Sequence, residues 1–300
     1  MIDNGHIRSE QAIEGGQIQP ASLDLRLGEK AYRLRASFLP GKAAKVSERL
    51  DEFTMHEMDL RSGAVLEKGC VYVVPLLESL DLPIEISGAA SAKSSIGRLD
   101  LLTRVITDDG VEFDRVPSGY TGPLFVEICP RSFSVLVRFG HMLTQIIFRL
   151  GQTILTDNAL FDLHRQTPIV AGEATISEGL GFSVDIKPRQ GNLVGYRAKP
   201  HTSVIDLEKL NFYEPSDFWE EIRTDDNRII LDPGAFYILV SREAITIPPN
   251  CAAEMAPYLA MVGEFRVHYA GFFDPGFGNN KYDVYESNIS PFLRFIHINN

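Results

Sequence analysis

Only three of the 300 residues are cysteine, at positions 70, 129 and 251. An odd number so widely spaced builds no disulfide framework, and a reducing, cytoplasmic setting is the expectation. No apolar run approaches the ~18–20 residues that cross a bilayer, and no basic–apolar–small-residue leader opens the chain. No membrane partner is therefore expected. Positive charge is also short: 29 Lys and Arg stand against 40 Asp and Glu, a formal net charge of −11. A nucleic-acid surface needs a basic stripe to neutralise phosphates, so no nucleic-acid partner is expected. A small anion held by a few Lys and Arg in one pocket stays compatible with that balance. The seven histidines are scattered singly. No C-x-x-C, H-x-x-x-H, G-x-x-x-x-G-K-[ST] or G-x-S-x-G occurs, and the H-x-E and P-C-x-x-C pair that holds zinc in base-modifying enzymes is missing. Zinc is not expected.

What the chain does have is a repeat. Leu66, Gly69, Tyr72, Glu78 and Pro83 return as Leu231, Gly234, Tyr237, Glu243 and Pro248, each 165 positions later (231 − 66 = 165). A period this long marks two copies of a domain, not a solenoid. Ser22-Leu23-Asp24-Leu25 also resembles Ser183-Val184-Asp185-Ile186, which reads as a further part of the echo. The expected division is a first copy over 1–155, a crossover linker over 156–180 and a second copy over 181–300. With 44% hydrophobic and 23% charged residues, each copy can bury an ordinary core.

Short β-branched or aromatic runs dominate: 71–74, 124–128, 135–137, 145–148 and 236–240, separated by Gly, Pro, Asp and Ser clusters. That spacing predicts a mostly β fold, a sandwich, jelly roll or barrel, with few short helices. Asp217 to Arg223 reads as a short helix opening on an Asp cap, and Ser94 to Leu99 as a single turn. Residues 1–5 look like part of a helix. The Asn-rich stretch after Gly278 looks abbreviated: the first-copy segments from Val135 to Phe148 have at best a shortened counterpart in Pro291 to Ile298, so the second copy's last strand is expected to be missing or supplied by a neighbouring chain.

Three segments could carry chemistry. In Lys93-Ser94-Ser95-Ile96-Gly97-Arg98, Ser94 and Arg98 are i and i+4 and share a helical face. The serines can cap the turn, and Lys93 and Arg98 add charge beside its free N–H groups, which makes a phosphate cradle. A capped surface turn with solvated charges fits the spacing equally simply and is the commoner case. In the strand Leu124 to Cys129, Glu127 is a carboxylate in an apolar row, where desolvation favours proton exchange near neutral pH. An edge-strand Glu at a sheet rim, or one paired with Arg131 or Arg138, is the alternative. Asp114, in the loop before that strand, either bonds a ligand hydroxyl or is a turn residue; Asp108-Asp109-Gly110 reads as a turn.

Ile18 to Gly28, Lys93 to Arg98 and Asp114 to Glu127, in that order and spacing, resemble the dCTP deaminase branch of the dUTPase-like superfamily, in its longer two-copy form. The resemblance implies a distorted β-barrel or jelly roll assembled as trimers, with nucleotide bound between subunits. It implies hydrolytic deamination of dCTP to dUTP, with no zinc and with Mg²⁺ carried by the triphosphate. By the same resemblance Ser94 and Ser95 meet phosphates, Arg98 organises the site, Glu127 activates the water and Asp114 lies near the sugar; Lys93 joins the substrate-binding set from the reading of the turn itself. The Glu254–Gly263 stretch has no Ser pair and no Arg, so the second copy is expected to be catalytically empty, although Phe273 to Phe277 keeps the family's hairpin. A dUTP pyrophosphatase, alone or combined with deamination, is the alternative. Glu127 and the missing Gly-rich phosphate-closing motif count against a pure pyrophosphatase. A nucleotide-binding regulator without turnover is the third reading.

Overall fold

In the computed structural model, residues 1–187, 190–256, 271–278 and 292–297 are described. They form two compact units. The first holds Met1–Gln152 and Ser203–Phe212, and the second holds Thr153–Thr202 and Tyr213–Asn300. The chain thus leaves the first unit after Gln152 and returns to it for ten residues. The stretch read as a linker, 156–180, contains a helix of the second unit and is not a plain crossover.

The first unit is built from short strands: β1 (Ile7–Ser9), β2 (Leu23–Arg26), β3 (Lys30–Leu34), β4 (Thr54–Asp59), β5 (Ala64–Leu66) and β6 (Val71–Asp81). They continue as β7 (Ile86–Ala92), β8 (Leu101–Thr107), β9 (Arg115–Val116), β10 (Thr121–Pro130), β11 (Val135–Val137) and β12 (Met142–Leu150). Two helices interrupt them, α1 (Val46–Phe53) and α2 (Ser94–Gly97). One sheet runs β4-β3-β6-β10-β8, with β1 added to β6, and a second runs β2-β12-β7-β9. Leu34, Val73, Ile106 and Phe125 of the first sheet pack with Phe38 and with Val46 and Leu50 of α1. The first turn of α1 is anchored by Asp108, whose Oδ1 accepts the Val46 N–H at 2.8 Å, so the Asp108 turn has a capping duty beyond reversing the chain. Residues 1–5 form a turn closed by Gly5 N–H to the Ile2 carbonyl at 2.9 Å, and not a helix.

The second unit carries α3 (Asp157–Gln166), β13 (Leu180–Gly181), β14 (Leu193–Ala198), α4 (Pro215–Phe218), β16 (Trp219–Arg223), β17 (Tyr237–Leu239), β18 (Cys251–Ala256), β19 (Phe272–Phe273) and β20 (Phe292–His297). The returning segment supplies β15 (Ile205–Asp206), which pairs in parallel with β11. Strand order shows the duplication directly. The sheet β13-β20-β18-β19 repeats β2-β12-β7-β9, and β16-β14-β17 repeats β4-β3-β6. The second copy therefore has a counterpart of β12 in β20, six residues against nine; it is the shortened strand expected within 291–298, and the expectation that the last strand is missing or supplied by a neighbour is corrected. The predicted helix at Asp217 to Arg223 is also corrected. Pro215 starts a single turn that ends at Phe218, and Trp219 onward is β16, where Trp and Ile favour the pleated surface.

The identities at offset 165 occupy equivalent places. Gly69 and Gly234 both adopt positive φ, 77° and 74°, which glycine takes without steric cost. The Tyr72 hydroxyl accepts the Glu67 N–H at 3.0 Å, and the Tyr237 hydroxyl accepts the Asp232 N–H at 2.8 Å. Arg33 stands opposite Tyr72 just as Arg197 stands opposite Tyr237. The echo of Ser22–Leu25 in Ser183–Ile186 is different. Glu78 Oε2 accepts the Arg26 N–H and Glu243 Oε2 accepts the Ser183 N–H, both at 2.8 Å. The bridge Leu27–Leu76 corresponds to Val184–Ser241. Ser183 thus stands where Arg26 stands, four places from Ser22. A short alternating run is compatible with several alignments, and only the hydrogen-bond partners choose among them.

Candidate active site

The first-copy motifs meet through side chains that the sequence leaves far apart. Lys93 lies between β7 and α2, and its Nζ forms an ion pair with the carboxylate of Asp24 in β2, 69 residues away. Asp24 is 1% exposed; burial pushes its carboxyl above the ordinary value while Lys93 pulls it back down. Lys93 is consequently not the free cation that the spacing suggested, because Asp24 balances its charge. Ser94 and Ser95 are the first two residues of α2, and the cap position belongs to Lys93. The serines therefore do not cap. Their N–H groups lie in the first turn, where no i−4 carbonyl is available. Ser95 is exposed and Ser94 half-buried. Arg98, half-buried, folds back so that Nε donates to the Ser94 carbonyl at 3.4 Å.

Glu127 lies in β10 with 1% of its surface exposed. Phe125 on the same face and Val73 opposite it on β6 belong to the apolar cluster around α1. Its partner is neither Arg131 nor Arg138. The β10–β8 register sets Arg104 directly opposite, and Arg104 donates from Nε at 3.1 Å and from Nη2, both to Oε1. Arg138 instead pairs with Asp206 on β15, from Nη1 at 2.7 Å. That pair holds the Asp206 carboxyl down at about 2. Arg104 was missed from the sequence. The signal was an arginine in the apolar run Leu101 to Ile106, but nothing local says what it faces.

Asp114 takes φ 61°, a left-handed turn position that Asp and Asn tolerate. Its Oδ1 accepts the Val105 N–H at 2.8 Å, one residue from Arg104. Its backbone joins both sheets, donating to the Val105 carbonyl and accepting from the Ala90 N–H, each at 2.9 Å. It is thus a structural turn residue that also stands in the Glu127–Arg104 neighbourhood. Desolvation pushes its carboxyl up to about 7, against the pull of the Val105 N–H. Between 3.8 and about 7 the unfolded chain has released this proton while the native state keeps it. Rising pH therefore weakens the fold, and the contribution is present below 3.8 and lost through about 7. Asp114→Asn keeps the turn and the acceptor but cannot ionise. Its stability relative to the natural chain is expected to rise by about 1–3 kcal/mol between pH 4 and pH 8, read from urea unfolding at each pH. A difference that stays flat with pH would refute the shift.

No hydrogen bond or ion pair among the described residues joins Ser94, Ser95 or Arg98 to Glu127. The structure brings together Asp24 with Lys93, and Arg104 with Glu127 and Asp114, as two clusters on different sheets.

Two copies of one mostly β fold, with a hydroxyl-rich turn and a buried arginine-held carboxylate in the first, define a protein of the dUTPase-like fold class. Family profiles narrow this. That of the 2'-deoxycytidine 5'-triphosphate deaminase N-terminal domain matches residues 1–152, and that of its C-terminal domain matches residues 156–290. The chain belongs to the dCTP deaminase family. It is similar to the 2'-deoxycytidine 5'-triphosphate deaminase from Agrobacterium tumefaciens, with 47% identity over 99% of this chain and 96% of that one and a TM-score of 0.93. A protein of Methanoculleus marisnigri named "dCTP deaminase, dUMP-forming" is 32% identical over 155 residues, 49% of this chain and 74% of that protein. The dCTP deaminase of Alteromonas mediterranea is 30% identical over 134 residues, 42% of this chain and 64% of that protein.

Proposed function

We propose that this chain hydrolyses dCTP to dUTP and ammonia, with Glu127 as the proton-handling group. The observation that carries the reading is Glu127 itself: a carboxylate buried in an apolar strand, charged against Arg104 through one oxygen, with Oε2 free of any hydrogen bond among the described residues. Oε2 takes a proton from water as the water oxygen bonds to C4 of the base. The C4–N bond then breaks, and the proton leaves with ammonia. Ser94 and Ser95 would receive the phosphates on their N–H and hydroxyl groups, with Lys93 tempered by Asp24. Arg98 would set the charge at the reacting end, and Asp114 would stand near the sugar.

Magnesium is expected to arrive with the triphosphate. Hydroxyls and cationic side chains at the turn suit phosphate oxygens and not a bare dication. No group of three or more His, Cys, Asp or Glu side chains able to hold a metal occurs among the described residues. Residues 257–263, which follow β18 as the Ser turn follows β7, lie outside the described residues, as do Pro257, Tyr258 and Met261, so the emptiness of the second copy stands as a proposal. The assembly is proposed as a homotrimer in which the turn of one chain meets Glu127 of the next. The separation of the two clusters on different sheets supports that reading. Among the described residues no helix is long and apolar enough to cross a membrane, and cytoplasmic placement is part of the proposal.

A second reading has its own support. The Methanoculleus relative is named as dUMP-forming, so a chain that also cleaves the phosphate chain would give dUMP and pyrophosphate. Incubation with dCTP or dUTP and Mg²⁺, followed by separation of products, decides. dUTP and ammonia are expected from dCTP, with EDTA inhibition reversed by Mg²⁺ and not by zinc. Pyrophosphate release from either nucleotide would establish the second reading. Binding without any product would leave a regulator.

A further inference from the structure

The pairing of Arg104 with Glu127 has an unusual shape for a stabilising ion pair. A guanidinium and a carboxylate facing each other across a strand pair can bond in a parallel fork, with one N–H on each oxygen. Here Nε and Nη2 both go to Oε1, while Oε2 is buried with no partner among the described residues. A buried acceptor left open is costly, and the fork would remove that cost without moving either strand. Arg104 is held in this pose from three other directions. Its Nη2 also donates to Ser37 Oγ at 3.1 Å, its guanidinium carbon lies 3.7 Å from the centroid of the Phe113 ring, and β8 fixes its backbone opposite Glu127. The arginine is therefore the fixed member, and the carboxylate is oriented by it.

We infer that Arg104 is the positioning residue of the reaction, holding Glu127 through Oε1 and reserving Oε2 as the oxygen that takes the proton of the attacking water. The inference rests on the proposed proton-handling role of Glu127. Lysine is a poor substitute, since a point charge reproduces neither the two-bond hold on one oxygen nor the face contact with Phe113. The other titratable groups around Glu127 are Asp114 in the loop before β9, Cys129 on β10 and Tyr32 on β3, in register with Val73 of β6, which itself faces Glu127. Burial pushes the Cys129 thiol up, so it stays neutral. Asp114 is the group that can confuse a pH profile, and Asp114→Asn removes it.

The test is Arg104→Gln and Arg104→Lys, each alone and in the Asp114→Asn background, with kcat and KM for dCTP measured from pH 5 to 9. Arg104→Gln is expected to lower kcat about tenfold or more at pH 7, to leave KM within about threefold, and to move the acid limb of the profile up by about one pH unit or more. The same displacement is expected without Asp114. Arg104→Lys keeps the charge, so its acid limb stays near the natural position while kcat is still reduced. A loss equal at every pH, with the limb unmoved, would make Arg104 a structural pair only. Should Arg104→Gln fail to fold, Arg104→Lys with full kcat would overturn the inference. Glu127→Gln separates the two levels. If it is inactive while Arg104→Gln keeps the natural pH profile, only this inference fails; if it is active, the role of Glu127 itself is lost.

Discussion

Replacing Glu127 by Gln is expected to lower dCTP turnover by about 10²-fold or more while leaving nucleotide binding largely intact. The substitution preserves shape, and the amide oxygen can still accept from Arg104, so β10 keeps its register against β8. What disappears is the basic Oε2 that no hydrogen bond occupies. Some stability should be lost as well, because Arg104 no longer faces a charge. Its side chain is 29% exposed, so solvent can take up part of that loss, which should stay at about 1–2 kcal/mol. Turnover measured beside calorimetric dCTP binding checks both halves. A Gln variant with near-natural turnover would remove Glu127 from the chemistry.

Arg98→Ala should be nearly as damaging, about 10- to 10³-fold in kcat/KM, and worse than Ser94→Ala, since charge-assisted bonds are roughly twice as strong as neutral ones. Within the described residues its side chain makes one hydrogen bond, the 3.4 Å contact of Nε to the Ser94 carbonyl. Little folding stability rides on so long a bond, so the loss is expected in activity and not in unfolding midpoint. The pair of variants also tests the shared site. If Arg98 of one subunit serves Glu127 of the next, mixing unfolded Arg98→Ala and Glu127→Gln chains and refolding them together restores intact sites at about half times half, a quarter of the total, in a closed ring. Activity of that order from two inactive parents would establish both oligomer and shared site. No recovery, with light scattering showing a monomer of 33.4 kDa, would refute them.

Chemistry in this protein is arranged by register. Arg104 and Glu127 are 23 residues apart, Asp24 and Lys93 are 69 apart, and Arg138 and Asp206 are 68 apart. Each pair was invisible in the chain for the same reason. A slip of one residue in the β10–β8 ladder would oppose Glu127 to Thr103 or Val105 and turn the arginine to the other face. The reading of Glu127 against Arg131 or Arg138 failed because it looked along the strand and its nearest arginines. The contact comes from across the sheet.

The amino-acid sequence by itself determined the strands, since runs such as Val71 to Val74 and Val135 to Val137 carry their β preference locally. It also determined the duplication, because Gly69 and Gly234, Tyr72 and Tyr237 answer the same turn requirement at one constant offset. It marked Glu127 as a carboxylate in an apolar row, a property of alternation alone. Only the tertiary structure decided that Ser183 answers to Arg26 and not to Ser22, that Lys93 is balanced by Asp24, and that Arg104 holds one oxygen of Glu127 and leaves the other open. Preference for a strand is stored in neighbouring residues. The choice of partner across a sheet is made by burial and pairing between segments that the chain keeps tens of residues apart.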